Sequence, residues 1–403
     1  MLCTTSAPSA DSKRTGCTCP LCASKTDQPL RGFLPSQDPL TRLPQPFEAW
    51  EQLASGLPKY LASDHIRRTI EDLPPFPVDQ IASDRERERA MTLLSYVGHA
   101  YVWCGGKPAE ILPKSVAVPW HEVAASLGRP PVLSYSSYSL HNYFRFDPQR
   151  DVETGNIALI QNFLGGLDEE WFIVIHVDIE RKAGPGLAAL HPCLDAAEAR
   201  DAELLEHHLD TVHHSIESIY AALKRMTEWC DPYVYYHRVR PYIHGWKNHP
   251  DLPNGLIYEG VDAYHGEPQQ FRGETGAQSA IIPSLDAMLG VGHKADVLRT
   301  YLMEMRTYMP PDHRAFIESI EARGTVVREF VEQSNRATLT ELYNSCVEGV
   351  ERFRTLHLEY AAAFIFRQAQ TDAKNPHAVG TGGTPFMPYL TKHRDETALH
   401  RLK

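Results

Sequence analysis

Long hydrophobic runs are missing from this sequence, and so is any excess of positive charge. No apolar stretch approaches the roughly 20 residues that span a bilayer, and the opening segment MLCTTSAPSA contains no apolar core of a secretion signal. The 403 residues carry a formal net charge of −11, which argues against a nucleic-acid partner. These features predict a cytoplasmic protein that binds neither membranes nor nucleic acids.

Common catalytic signatures are also missing. The chain has no phosphate-binding Walker loop, no dinucleotide-binding glycine fingerprint and no G-x-S-x-G nucleophile elbow. The segment HEVAA at 121–125 has no second histidine, so it does not form the zinc-binding helix of a metalloprotease. Nucleotide-dependent and common hydrolytic activities are therefore not indicated.

Half of the eight cysteines crowd into the N-terminal segment. Cys3, Cys17, Cys19 and Cys22 lie in a stretch rich in serine, threonine and proline. A structural zinc site requires paired cysteines with folded chain between them, and this segment has the composition of a disordered one. We therefore predict a disordered tail over residues 1–45 that carries free thiols.

Amphipathic helical patterns dominate the rest of the chain. Residues 46–154 mix short helical patterns with proline-punctuated segments, whereas longer patterns follow from about residue 155. We expect a mostly α protein, with a small mixed domain (α with minor β) over 46–154 and a large all-α domain over 155–403. The clearest helical face is formed by Leu205, Leu209, Val212, Ile216, Ile219, Leu223 and Met226.

A histidine interrupts the apolar face of another predicted helix, at about residues 338–368. His357 shares this face with Val350, Phe353 and Phe364. One interpretation is a core histidine with a hydrogen-bonded ring. The other is a ligand of a metal or of haem iron, because neutral imidazole is the commonest such ligand and needs a rigid mount.

Three loops carry further candidates. Arg240 follows an aromatic cluster, where it suits either the carboxylate of an aromatic small molecule or an ordinary cation–π contact. The segment FRGETGAQ brings small residues to a loop that a flat ligand can approach, and it can equally be a plain connection. GTGGT at 380–384 has the composition of a flexible lid over a binding site, but many loops without a function have the same composition.

Taken together, these segments resemble the indoleamine 2,3-dioxygenase family over nearly the whole chain beyond the tail. The resemblance rests on eight segments in matching order: AYVW, LPKSVAVPW, RPPVLSY, GWKNHPDLPNGLIYEG, GETGAQSAIIPSLDAMLG, MRTYMPPDHRAF, FRTLHLEY and GTGGT. It implies a large α-helical domain that holds haem b and a small domain that covers the distal side. It also implies an oxidoreductase that inserts O₂ across the indole C2–C3 bond of L-tryptophan to give N-formylkynurenine, the first step of tryptophan catabolism by the kynurenine route.

The resemblance also assigns site residues. His357 matches the proximal ligand of the haem iron, and Arg354 and Asp286 match an ion pair near it. Arg240 matches the arginine that binds the substrate carboxylate. The substrate-binding residues that it implies are Tyr135, Ser139, Ala183, Tyr235, Tyr236, Arg240, Thr275, Gly276 and Thr381.

No side chain is expected to act as a catalytic base. The resemblance places Ala183, which cannot take a proton, in the distal pocket where the family often has serine. His176 lies seven residues earlier, roughly 10 Å along a helix at about 1.5 Å per residue. That distance is too long for proton transfer. We therefore interpret His176 as structural and expect haem-bound O₂ to attack the indole directly.

Tyr235 and Tyr236 stand where the family usually has phenylalanine, so their hydroxyls make the predicted pocket more polar. Two rival functions follow: a tailoring oxygenase that acts on a modified indole in secondary metabolism, or a haem-binding sensor without turnover. The expected partners are L-tryptophan or a related indole, O₂ and a reductant that keeps haem ferrous. The expected state is a monomer.

Overall fold

Helices carry almost all of the regular structure in the computed structural model, which describes residues 31–63, 65–292, 297–371, 381 and 386–403. The α-helices are α1 (Glu48–Ser55), α2 (Leu57–Tyr60), α3 (Ile66–Glu71), α4 (Asp84–Trp103), α5 (Lys114–Ser126), α6 (Leu167–Glu198), α7 (Ala202–Lys224), α8 (Pro232–Val234), α9 (Arg240–Ile243), α10 (Ile281–Leu289), α11 (Val297–Arg306), α12 (Pro311–Glu321), α13 (Val326–Ser334), α14 (Ala337–Ala361), α15 (Arg367–Thr371) and α16 (Phe386–Ala398). The predicted mostly α class is confirmed.

Shorter elements fill the connections. The 3₁₀ segments are Gln45–Phe47, Val78–Gln80, Arg225–Glu228, Asp262–Tyr264 and Gly276–Gln278, and the π-helical segments are Ser136–Leu140, Tyr235–Val239 and Ala362–Phe366. The strands are β1 (Ile111–Leu112), β2 (Tyr143–Arg145), β3 (Ile157–Leu159) and β4 (Ile257–Tyr258). β1 pairs with β4 in parallel, and β2 pairs with β3 antiparallel. The predicted minor β content is therefore present, while the division into two domains stays a prediction.

The predicted N-terminal tail ends earlier than expected. Phe33 and Leu34 are buried, and the Phe33 ring lies 5.5 Å from that of Phe316 in an edge-on contact. Arg31 donates to Asp38 at 2.7 Å, which fixes the segment further. The boundary at residue 45 is therefore wrong, because these aromatic and ionic contacts anchor the chain from residue 31. The four clustered cysteines lie outside the described residues.

Three long helices, α6, α7 and α14, pack where small residues allow close approach. A Cβ added to Gly186 on α6 would lie 2.7 Å from the Ser215 Cβ on α7, and one added to Gly349 on α14 would lie 2.6 Å from the Ile216 Cγ2. The Ser215 hydroxyl donates to the Lys182 carbonyl at 2.7 Å, which joins α6 to α7. The apolar face predicted for α7 is buried against these neighbours. None of the helices in the described ranges is both long and apolar enough to cross a membrane.

Two glycines let the loop after α9 cross the segment that precedes α10. A Cβ on Gly245 would lie 2.1 Å from the Gly273 nitrogen, and a Cβ on Gly273 would lie 2.2 Å from the Gly245 nitrogen. Real Cβ atoms do not come so close to backbone, so only glycine is accommodated at either position. This crossing fixes residues 273–279 against the end of α9.

The crossing predicts a steric effect on stability. Gly245→Ala should lower the free energy of unfolding by about 1–3 kcal/mol, the usual result of forcing extra volume into packed structure. Denaturant unfolding would measure it. Gly106→Ala is the matched control, because a Cβ there meets nothing within 4 Å. Equal stability of the two variants would contradict the close crossing.

Candidate active site

The cavity that contains most of the predicted site residues has a volume of about 370 Å³, within the usual range for small-molecule sites. Its walls come from α6, α10, α11, α14 and the loop at 273–279. The predicted site residues on its walls are Tyr135, Tyr235, Thr275, Gly276, Asp286, Arg354, His357 and Thr381. The structure therefore brings together residues that are more than 240 positions apart in the chain.

His357 projects from α14 into this cavity. The ring is enclosed by protein, yet much of its surface is open because it faces the cavity. Burial, together with the neighbouring His176 and Arg354, lowers the pKa of His357 to about 4. The imidazole is therefore neutral at physiological pH, which is the form that binds a metal.

Arg354 and Asp286 form a bidentate ion pair beside His357. Arg354 Nη1 donates to Asp286 Oδ1 at 3.0 Å, and Arg354 Nη2 donates to Oδ2 at 2.5 Å. Arg354 also donates to the Thr397 hydroxyl on α16. Because Arg354 precedes His357 by one helical turn, the pair ties this part of α14 to α10 and α16 and holds the imidazole in position.

Another part of the wall is formed by one face of α6. Phe172, His176 and Ile179 line the cavity at steps of four and three residues. Ala183 continues the same stripe, but it is buried in the hydrophobic core and is not among the described residues that line the cavity. The role of Ala183 in the distal pocket therefore stays a prediction.

His176, on the same face of α6, does line the cavity. Its Nδ1 lies 2.7 Å from the Phe172 carbonyl oxygen. Since a carbonyl can only accept, Nδ1 carries the hydrogen and Nε2 of the neutral ring is a hydrogen-bond acceptor. The expectation that His176 lies too far from the pocket was based on its distance from Ala183. Because His176 itself lines the cavity, that distance does not exclude it from the pocket.

A buried hydrogen-bond network supports Tyr135. The Tyr135 hydroxyl donates to Glu180 Oε1 at 2.9 Å, and the Ser279 hydroxyl donates to the same oxygen at 2.8 Å. Burial raises the pKa of Glu180 to about 7, although these two hydrogen bonds act in the opposite direction. The Tyr135 backbone donates to Gln278 Oε1 at 2.9 Å, which ties the tyrosine to the loop at 273–279. Both ends of Tyr135 are thus fixed.

The aromatic wall includes Tyr235, whose ring lies 4.7 Å from Phe172 and 5.6 Å from Phe364. Tyr236 and Arg240 are buried next to it, and the Arg240 guanidinium lies 4.9 Å from the centre of the Tyr236 ring. Neither Tyr236 nor Arg240 is among the described residues that line the cavity. Arg240 therefore makes the cation–π contact, and its role toward a carboxylate stays a prediction.

Ser139 lies further from the cavity than expected. It is fully buried in the π-helical segment, and its hydroxyl has no hydrogen-bond partner among the described residues. It is also not among the described residues on the cavity wall. A π-helical turn changes which side chains share a face. Tyr135, just before the segment, lines the cavity and Ser139 does not.

The loop at 273–279 and Thr381 close one side of the cavity. Thr275 caps the short 3₁₀ segment that begins at Gly276, and a Cβ added to Gly276 would meet nothing within 4 Å. The Thr381 hydroxyl donates to the Glu274 carbonyl at 2.5 Å. The other residues of GTGGT lie outside the described residues.

Two cavity residues were missed by sequence reasoning as functional groups. Glu274 was overlooked because its loop was interpreted through its small residues. His176 was placed outside the pocket because the register of α6 was taken from Ala183. An available signal was the spacing of Phe172, His176 and Ile179, which predicts a single helical face.

These residues fit a haem group. His357 offers one neutral imidazole, and Ile282, Phe353 and Phe364 give the cavity apolar walls. Within the described ranges, no group of three or more His, Cys, Asp or Glu side chains is arranged to hold a metal ion. A metal bound by His357 would thus need a cofactor that brings its remaining ligands, as haem does.

Comparisons with known proteins agree with this chemistry. A family model described as indoleamine 2,3-dioxygenase matches residues 28–400. Indoleamine 2,3-dioxygenase 1 of Rattus norvegicus is 34% identical over 372 residues, which cover 89% of this chain and 90% of the relative. Indoleamine 2,3-dioxygenase 2 of Homo sapiens is 33% identical, covering 91% and 92%.

A fungal relative carries a different name. The 6-hydroxytryptophan 2,3-dioxygenase of Fusarium equiseti is 34% identical, and the match covers 91% of this chain and 94% of that protein. The similarity to all three relatives thus extends over almost the whole of each protein. The chain belongs to the indoleamine 2,3-dioxygenase family, whose members are haem-dependent, and it is an oxidoreductase of the dioxygenase type.

Proposed function

We propose that the protein binds haem b at His357 and inserts both atoms of O₂ across the indole C2–C3 bond of L-tryptophan, giving N-formylkynurenine. The observation that carries this proposal is the neutral imidazole of His357, open to a cavity with an aromatic wall. Entry into the kynurenine route, a cytoplasmic location, a monomeric state and a reductant that keeps haem ferrous are parts of the same proposal.

The protein's own residues bind and orient the reactants in this proposal. His357 holds the cofactor at a fixed depth, and the Arg354–Asp286 pair keeps α14 in place. Phe172 and Tyr235, whose rings contact each other at 4.7 Å, form one aromatic surface against which the flat indole packs. When bound, haem supplies the binding and activation of O₂.

Proton handling in this site is limited to hydrogen bonding. The Nε2 lone pair of His176 can accept a hydrogen bond from the indole N1–H, because Nδ1 is already bonded to the Phe172 carbonyl. We infer that His176 orients the indole and that no side chain removes the N1 proton. The expectation of a reaction without a catalytic base is kept in this proposal, because burial lowers the pKa of His176 and so disfavours the protonated imidazole that proton removal would create.

An indole panel tests the function directly. Ferrous protein with O₂ should convert L-tryptophan into N-formylkynurenine, followed by its ultraviolet band. A hydroxylated tryptophan is the second candidate substrate, favoured by the extra hydroxyl of Tyr235 on the cavity wall and by the name of the Fusarium relative. The ratio of kcat/KM for the two substrates decides between them, and haem binding without turnover of any indole would favour a sensor.

His357→Ala should abolish stable haem binding, because it removes the imidazole that faces the cavity. The measurement is the Soret band of purified protein after haem addition. His207→Ala is the control, since His207 is exposed on α7. A normal Soret band and normal turnover in His357→Ala would reject the assignment of the ligand.

Arg240→Ala should reduce kcat/KM for tryptophan by at least about tenfold, because loss of a desolvated charged partner typically costs about 2–5 kcal/mol. The kcat/KM for tryptamine, which has no carboxylate, should fall much less. Arg238→Ala is the control, because this exposed arginine lies two residues away. Equal losses with both substrates would show that Arg240 acts by packing alone.

His176→Leu should raise the KM for tryptophan by about fivefold, the effect of losing one neutral hydrogen bond worth about 1 kcal/mol. His176→Gln keeps an acceptor and should leave kcat within about threefold of the wild type. 1-Methyltryptophan has no N1 proton, so its slow turnover should be insensitive to both substitutions. Inertness of 1-methyltryptophan together with inactivity of His176→Gln would indicate a catalytic base.

A further inference from the structure

Glu274 is held rigidly at the cavity wall. Its backbone nitrogen donates to the Ile243 carbonyl at 3.1 Å, and its carbonyl accepts from the Thr381 hydroxyl at 2.5 Å. The preceding residue, Gly273, is locked in the close crossing with Gly245. The carboxyl group therefore extends from a fixed point of the backbone.

The Glu274 carboxyl group has no protein partner among the described residues. The residue is 3% exposed and lines the cavity, and no hydrogen bond or ion pair reaches its side chain from the described part of the chain. Burial raises its pKa to about 8, and no neighbouring cation offsets this effect. A buried ionisable group without a partner is unfavourable, so its retention on a ligand-sized cavity needs a ligand that completes it.

A positive charge already lies in the neighbourhood, but not as the partner of Glu274. Burial is the main cause that raises the pKa of Tyr235, Glu274 raises it further, and Arg240 lowers it. Both charges therefore act on the same phenol. Arg240 is not among the causes that shift the pKa of Glu274, and the Glu274 side chain forms no ion pair within the described part of the chain.

We propose that the Glu274 carboxylate binds the α-ammonium group of the substrate while Arg240 binds its carboxylate. This inference rests on the proposed function, because it assigns the amino-acid end of the same substrate. An α-amino acid carries an ammonium group beside its carboxylate, and the Glu274 side chain on the cavity wall is placed to receive the ammonium group of a bound ligand. An ammonium group supplies the charged donors that the Glu274 carboxylate lacks in the protein.

The experiment separates the two ends of the ligand. The holoprotein is titrated with L-tryptophan, with tryptamine (amine only) and with indole-3-propionate (carboxylate only), following the change in the haem spectrum. Glu274→Gln should weaken the binding of tryptophan and of tryptamine by about tenfold or more, as expected for the loss of a desolvated charged pair. Indole-3-propionate should bind within about twofold of the wild type or more tightly, since its binding makes no demand on Glu274. Arg240→Ala should instead weaken the binding of tryptophan and of indole-3-propionate and leave the binding of tryptamine nearly unchanged.

Controls distinguish anchoring from damage to the fold. Glu267→Gln, at an exposed position in the same region, should leave all three affinities unchanged. Glu274→Asp keeps the charge and should restore part of the tryptamine affinity if Gln fails to do so. In steady-state turnover, an anchoring role appears mainly in the KM for tryptophan.

The outcomes divide clearly. Equal losses for the three ligands in Glu274→Gln, or lost haem with no rescue by Asp, would assign Glu274 a structural role and overturn the inference. Weaker binding of a hydroxylated tryptophan alone would also overturn the inference, because the Glu274 carboxyl group would then bind the hydroxyl of the indole ring instead of the ammonium group. A wild-type protein that binds haem and tryptophan keeps the proposed function intact in each of these cases. A wild type that binds neither would reject the proposed function itself.

Discussion

The close packing of α6, α7 and α14 is the constraint on which the site depends. Gly186 and Gly349 let α7 approach both neighbours, so the spacing of the three helices is set by the absence of side chains at two positions. His176 on α6 and His357 on α14 then line one cavity. Interiors are packed too densely for such helices to shift independently. The depth of the imidazole that binds iron in the proposed site is therefore a consequence of helix packing some two turns away.

How far the sequence could predict this arrangement differs between helices and loops. Apolar periodicity identified α7 and α14 and put His357 on an inward face, because both helices bury one continuous stripe. Periodicity says nothing about where a cavity begins along a helix, so it did not show that His176 lines the cavity; Ala183 was assigned to the pocket by the family resemblance, and its role stays a prediction. The loop at 273–279 has no periodicity at all. Its shape depends on the crossing of Gly245 and Gly273, a contact between distant segments that no local pattern encodes. The same limit applies to Phe33, whose partner Phe316 lies on α12.

Electrostatics in the cavity follow from burial more than from ion pairing. Desolvation is the largest influence on the pKa of His357, Glu180 and Glu274. It favours the neutral form in each case, which suits an imidazole that must bind a metal. Arg354 and Asp286 are the exception, because each satisfies the other through two hydrogen bonds. Replacing one partner would leave the other charge buried and unpaired. Substitution of either residue should therefore be destabilising, even though the pair contacts no substrate in the proposed function.

The family position of this protein leaves its substrate preference to a few side chains. A hydrophobic pocket alone discriminates poorly against a ligand that adds one hydroxyl, whereas buried polar groups discriminate strongly when a ligand leaves them unpaired. Here the polar groups divide by location. Glu274 and Arg240 lie near Tyr235, while Tyr135 is bonded to Glu180 and Ser279 and has little donor capacity left. Under the proposed function, the demand for both charges of an amino acid is the stronger selection, and the hydroxyl of Tyr235 decides the tolerance for substituents on the indole ring.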